Sequence, residues 1–238
     1  MADDALVIGH RNSEWTGIGP MLEEDLAFSS MAQDKIGHAQ ALYEILHSHL
    51  GLADADSLAF RREEKEFRCC HLVEYPIGEY DFSLVRHFLF DHAEAVRYQA
   101  LASSSFAPLA HLSAKVKGEI KYHVMHANAF LRQLAAGTEE SRARMQSSLN
   151  RLWPLAQGIF ESYEGEKDLI DAGIYPGEVM LKERWAAAVQ AVVESAGLKM
   201  PASEADGLGG RQGYHTEFLS PMLFEMTEVV REDPEAIW

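Results

Sequence analysis

Acids and histidines stand four residues apart on two long helical stretches of this 238-residue sequence. Asp34 precedes His38, and Glu119 precedes His123. Residues three or four positions apart share one face of a helix, and leucines, Leu26 among them, continue both series at the same spacing. Both pairs are therefore predicted to point inward, where carboxylate and imidazole groups could hold a hard divalent metal ion.

A third helical stretch adds Asp91, together with His92 and Glu94, from its middle. In four-helix carboxylate bundles, two iron or manganese ions are held by a Glu from each of two helices and a Glu-x-x-His from each of the other two. The sequence meets this pattern only in part. Lys35 stands three residues before His38, and Ile120 stands three residues before His123.

Lys35 and Ile120 both change the chemistry expected of such a centre. Isoleucine cannot bind a metal, whereas Lys35 carries a positive charge that could replace the metal by pairing with Asp34 or Asp91. Three interpretations follow: a buried polar network without an ion, a di-metal site with altered spacing, or unrelated core histidines. The first is favoured, so we expect no catalytic residue and no metal, but a vestigial network of Asp34, Lys35, His38, Asp91, Glu119 and His123.

The elements that must position these residues are helices. Apolar residues recur every three or four positions, and alternating strand-like runs are nearly absent, which predicts an all-α fold. Helices are expected over residues 3–15, 21–50, 81–104, 108–136, 139–163, 178–196 and 215–232, with a kink at Pro154. Residues 52–80 are expected to form a connection with one short helix. We predict a single domain over residues 1–238.

Composition excludes several classes of function. The chain has 21 Lys and Arg against 37 Asp and Glu, a net charge of −16, which disfavours nucleic acid and anionic membranes as partners. No apolar stretch reaches the roughly 20 residues that a membrane span requires. The two cysteines, Cys69 and Cys70, are neighbours and form neither a disulfide framework nor a zinc set. These features predict a cytoplasmic protein.

Two smaller clusters receive simpler interpretations. His71 lies beside Cys69 and Cys70, but no second ligand pair stands nearby in the sequence, so packing is favoured over metal binding. Arg211 and His215 flank a glycine-rich connection that could contact an anion, although a surface turn is the favoured interpretation.

Several motifs resemble those of the PaaC family. They are LEEDLA at 22–27, GHAQ at 37–40, DSLAFR at 56–61, EIKYH at 119–123, NRLW at 150–153 and GGRQGYHTEFLSPMLFEM at 209–226. The resemblance covers nearly the whole chain, in one order. It implies a ferritin-like four-helix bundle with additional peripheral helices, and the role of the structural, non-catalytic subunit of bacterial phenylacetyl-CoA epoxidase.

The resemblance also implies partners. A homologous catalytic subunit would carry the di-iron centre and bind the CoA thioester, a reductase subunit would supply electrons, and this chain would hold no cofactor of its own. A homodimer or a hetero-oligomer is expected. The alternatives are a stand-alone ferritin-like di-metal oxygenase or oxidase, and a binding module for anionic ligands, which the net charge disfavours.

Overall fold

The helices follow one another along the chain with short connections. A computed structural model describes residues 1–202 and 206–234, and the regular structure within these ranges is helical. The α-helices are α1 (Ala2–Ser13), α2 (Leu22–Leu50), α3 (Ala55–Phe60), α4 (His71–Glu74), α5 (Tyr80–Leu101), α6 (Ala107–Ala135), α7 (Glu139–Ala156), α8 (Glu166–Asp171), α9 (Glu178–Ser195), α10 (Leu219–Met226) and α11 (Glu228–Glu232). Short 3₁₀ turns cover Glu64–Glu66, Gln157–Phe160 and Gly210–Gln212.

The four helices α1, α2, α5 and α6 build the ferritin-like bundle. α1 packs along α2, α5 packs along α6, and α2 and α6 lie side by side. Gly9 allows α1 to approach α2 closely, since a Cβ at this position would lie 3.0 Å from Ile36 and 3.2 Å from the Cβ of Lys35. The predicted all-α bundle with peripheral helices is confirmed.

Helix α5 runs through the middle of the molecule, as its apolar sequence predicts. Besides α6, it contacts α7 and α9 on its outer side. There the rings of Trp153 and Trp185 stack with their centroids 4.7 Å apart. The indole nitrogen of Trp185 donates a hydrogen bond to the carbonyl oxygen of Leu89, so α9 is tied to α5 by a polar contact as well as by packing.

The ends of the long helices follow from local sequence. α2 ends at Gly51, which adopts the left-handed conformation (φ 71°) that glycine tolerates best. α7 begins after Thr138, whose hydroxyl oxygen accepts a hydrogen bond from the backbone N–H of Ser141. The boundaries predicted at these positions are close to those observed.

Three predicted stretches differ from the structure. Residues 52–80 contain α3, α4 and a 3₁₀ turn instead of one short helix. The helix predicted over 139–163 ends at Ala156 and is followed by a 3₁₀ turn, in which Gly158 lies close against the backbone of Gly207. The helix predicted over 215–232 begins only at Leu219, because the backbone and side chain of Thr216 bond to Glu74.

One apolar core joins side chains from α1 to α10. That the whole chain forms one domain stays a prediction. Within the described residues, no helix is both long enough and apolar enough to cross a bilayer.

Candidate functional site

Lys35 lies in the centre of the bundle with its side chain completely buried. Its Nζ is 2.6 Å from Oδ1 of Asp91 and also donates to Oε2 of Glu94, both on α5. Burial alone would lower the pKa of Lys35, but Asp91 and Glu94 raise it above its ordinary value. The lysine is therefore an ammonium ion that bridges two buried carboxylates and ties α2 to α5.

The two predicted acid–histidine pairs exchange partners between helices. Nε2 of His123 on α6 lies 2.9 Å from Oδ2 of Asp34 on α2. Nε2 of His38 on α2 lies 2.7 Å from Oε2 of Glu119 on α6. The two imidazole rings face each other with centroids 6.4 Å apart. Each helix thus supplies the acid for the other helix's histidine.

Asp34 and Glu119 lie at the edge of the bundle, and the prediction that they face inward is wrong. Their side chains are 31% and 45% exposed. Lys35 and Ile120, the next residue along each helix, are buried instead. The buried side of α2 includes Glu24, Phe28, Met31, Lys35, His38 and Leu42. Leu26, which suggested a different register, is 61% exposed.

Four cluster members were not singled out from the sequence. His126 on α6 places Nε2 2.9 Å from Oε1 of Glu24, and the hydroxyl of Tyr80 donates to the other oxygen of the same carboxylate. His87 lies with its Nδ1 against Oδ2 of Asp91. The spacing from Glu24 to the buried Phe28, and from His87 to Asp91, was the available signal.

His92, which the sequence grouped with Asp91, points elsewhere. Its Nε2 is 2.9 Å from Oδ1 of Asn128 on α6. Glu94, by contrast, belongs to the centre through its contact with Lys35.

The electrostatics around the Lys35 ammonium ion favour neutral rings for His123 and His87. Burial, with the Lys35 ammonium beside it, lowers the pKa of His123 to about 2. Burial likewise lowers the pKa of His87. Burial opposes ionisation of Asp91, but His87 and Lys35 hold its pKa below the ordinary value. Burial and the nearby Glu119 raise the pKa of Asp34.

Three side chains around Lys35 are of the types that bind metal ions. Asp91, Glu94 and His123 each offer a ligand atom, and these atoms lie within 4.8 Å of one another. The Nζ of Lys35 already contacts one oxygen of each of the two carboxylates. A cationic side chain therefore already holds the oxygens that a metal ion would need.

The glycine-rich connection was predicted to be a surface turn, and this is wrong for its two polar side chains. The guanidinium of Arg211 is 8% exposed and donates to both oxygens of Asp4 at 2.8 Å. The side chain of His215 is 1% exposed and lies 2.8 Å from Glu74. Both side chains fasten the connection to the bundle, because their partners lie on α1 and α4.

The likeness to known proteins extends over the full chain. A family described as phenylacetic acid catabolic protein (PaaA_PaaC) matches residues 1–238. The chain belongs to this family.

Two relatives of the phenylacetic acid catabolic protein family come from Escherichia coli (strain K12). The chain is 34% identical over 238 residues to the C subunit of 1,2-phenylacetyl-CoA epoxidase, a match covering 100% of this chain and 96% of the relative. It is 26% identical over 139 residues to the A subunit of 1,2-phenylacetyl-CoA epoxidase, which covers 58% of this chain and 44% of that relative. The chain is thus similar to two subunits of this epoxidase.

Proposed function

We propose that the chain is the structural, non-catalytic subunit of a multicomponent phenylacetyl-CoA ring epoxidase. It would support a homologous di-iron catalytic subunit during aerobic phenylacetate degradation in the cytoplasm, and a reductase subunit would complete the complex. The full-length similarity to the C subunit of an epoxidase supports the pathway. The position of Lys35 between Asp91 and Glu94 is the observation that carries the non-catalytic role.

The residues present do not fit a dinuclear iron centre. Such a centre would take a Glu three residues before each histidine as a ligand. Here these positions hold Lys35 and Ile120, both buried. Introducing dications beside the lysine ammonium would add repulsion in a medium of low dielectric constant, where charges interact strongly. We assign no cofactor to this chain and place the di-iron centre in the catalytic subunit.

The cluster suits a scaffold because it connects three helices. The Lys35–Asp91 contact joins α2 to α5, while the Asp34–His123 and Glu119–His38 contacts join α2 to α6. A buried ion pair adds little net stability against an apolar core, but it is costly to break. The cluster would therefore fix the relative positions of the helices on which a partner rests.

The charge of the chain supports leaving the substrate to another subunit. A net charge of −16 repels an anionic CoA ester at long range. The same charge would favour docking on a basic face of the catalytic or reductase subunit. The resulting complex would be a hetero-oligomer, which could contain a homodimer of this chain at its centre.

Co-expression with the homologous catalytic subunit of the same organism tests this role. We expect the two chains to co-elute in size-exclusion chromatography, and ring epoxidation to require both. Separate elution, or full epoxidation by the catalytic subunit without this chain, would contradict the proposal.

A stand-alone di-metal oxygenase is the second candidate. The ligand atoms of Asp91, Glu94 and His123 lie near one another, which is the observation that favours it. Oxygen consumption by the isolated chain, supplied with Fe²⁺ and an electron donor, distinguishes the two functions. We expect no consumption above that of the free metal.

A further inference from the structure

A second group of ligand-type side chains lies away from the Lys35 cluster, where α4 meets the connection before α10. Cys69, Glu74 and His215 each offer one donor atom, and these three atoms lie within 4.8 Å of one another. Sγ of Cys69 is 3.6 Å from Oε1 of Glu74 and 3.9 Å from Nδ1 of His215. Nδ1 of His215 is 2.8 Å from the same Oε1.

We propose that Cys69, Glu74 and His215 bind one zinc ion that fastens the segment before α10 to the segment around α4. Thiolate, imidazole and carboxylate are the ligands that zinc takes in proteins. Around a tetrahedral zinc, bonds of about 2.3 Å to sulfur and about 2.0 Å to nitrogen and oxygen place the ligand atoms about 3.3–3.6 Å apart. The three observed separations bracket this range.

Hydrogen bonds from outside the cluster already orient two of the ligands. Nε2 of His215 lies 3.1 Å from the carbonyl oxygen of Phe67, to which it donates, so Nδ1 faces the other two ligand atoms. The second oxygen of Glu74 accepts bonds from the backbone N–H and the hydroxyl of Thr216, both at 2.7 Å. Support of this kind fixes ring and carboxylate orientation in metal sites and is a large part of their affinity.

Charge balance also favours a cation here. The carboxylate of Glu74 and the thiol of Cys69 are completely buried. Arg11 is engaged by the backbone carbonyl of Glu74 and by Glu14, and no lysine or arginine among the described residues pairs with the Glu74 carboxylate. A thiolate and a carboxylate with one Zn²⁺ and a neutral imidazole form a neutral buried group.

Burial raises the pKa of Cys69 well above its ordinary value, so without a metal ion the sulfur carries a proton. Zinc binding would displace this proton, and any proton on Nδ1 of His215, to solvent. Zn–S, Zn–N and Zn–O bonds form, nothing is oxidised or reduced, and a water molecule supplies the fourth ligand.

The sequence could not bring these residues together. His215 lies 146 residues from Cys69, and the nearer His71 is turned toward the carbonyl oxygen of Tyr214. The gain from a zinc ion would be structural. Residues 206–218, which precede α10, contain only one short 3₁₀ turn. Contacts with other segments, and not hydrogen bonds within a helix, must therefore hold these residues in place.

The neighbouring cysteines provide a matched pair of variants. Cys69→Ser removes the proposed sulfur ligand, whereas Cys70→Ser changes an equally buried thiol that lies outside the cluster. The full chain is freed of metal with a chelator, and Zn²⁺ or Co²⁺ is then titrated. We expect about one ion per chain, a cobalt–thiolate charge-transfer absorption, and a higher melting temperature with zinc, in the wild type and in Cys70→Ser.

Cys69→Ser should lose the charge-transfer absorption and at least tenfold in zinc affinity. His215→Gln provides a second test if Cys69→Ser folds poorly. The cobalt–thiolate absorption of the wild type tests the site without any variant. Zinc uptake far below one per chain without cobalt–thiolate absorption would overturn the site and leave a plain His215–Glu74 hydrogen bond. Co-elution with the catalytic subunit does not enter this experiment, so the outcome is independent of the proposed function.

Discussion

The Nζ of Lys35 lies 2.6 Å from Oδ1 of Asp91, and neither side chain has any exposed surface. The lysine occupies a position at which the four-helix carboxylate pattern requires an acid. Because its ammonium group pairs with both Asp91 and Glu94 of α5, these acids have a cationic partner without a metal ion. The same contact therefore holds the cluster in place, since a buried pair is costly to break, and accounts for the proposed loss of catalysis.

Lys35→Met should be strongly destabilising. The variant retains most of the side-chain volume but leaves Asp91 and Glu94 buried without their cation, which we expect to cost about 3–5 kcal/mol of unfolding free energy. Urea denaturation measures this. Lys167→Met is the control, because the Lys167–Asp171 pair is exposed and should contribute less than about 1 kcal/mol. Equal effects of the two variants would contradict the bridging role of Lys35.

The stability of the chain should fall below neutral pH through its buried histidines. Because burial and Lys35 lower the pKa of His123 to about 2, the folded chain keeps this ring neutral. The unfolded chain takes up a proton near pH 6.5, so lowering the pH below about 6.5 favours unfolding by about 1.4 kcal/mol per pH unit for this residue.

His123→Gln should therefore flatten the dependence of unfolding free energy on pH between about 6.5 and about 5. His111→Gln, at an exposed position of α6, should leave the slope unchanged. Denaturation in urea at a series of pH values measures both. A slope in His123→Gln equal to that of the wild type would show that His123 is protonated in the folded chain.

Gly210→Ala should disturb the connection before α10. A Cβ at this position would collide with the backbone carbonyl oxygen of Cys69, and backbone cannot move away as a flexible side chain can. We expect a lower melting temperature. Gly118→Ala on α6 meets nothing within 4 Å and should stabilise the helix by up to about 1 kcal/mol. A melting temperature unchanged in Gly210→Ala would contradict this close approach.

The sequence predicted the long helices well because their signals are local. Gly51 ends α2 by adopting a conformation that other residues avoid, and the apolar residues of α5 indicate a buried helix. The register of α2 was harder. Leu26 suggested one face, yet it is exposed, and the buried face contains the charged residues Glu24 and Lys35. Hydrophobic periodicity cannot identify a charged residue that is buried with its partner.

Apart from the Lys35–Asp91 pair, which was one of two partners expected for the lysine, contacts between distant segments were beyond sequence reasoning. Nothing in the spacing shows that His38 pairs with Glu119 and not with Asp34 of its own helix, because the choice depends on how α2 and α6 lie against each other. The approach of His215 to Cys69 depends in the same way on the path of the chain after α9.

Iron content measured after purification from iron-rich medium tests the central claim most directly. If Lys35 takes the place of the metal, elemental analysis should find far less than one iron per chain, while the co-expressed catalytic subunit retains its own. A value near two irons per chain in the isolated protein would contradict the account and support the stand-alone oxygenase.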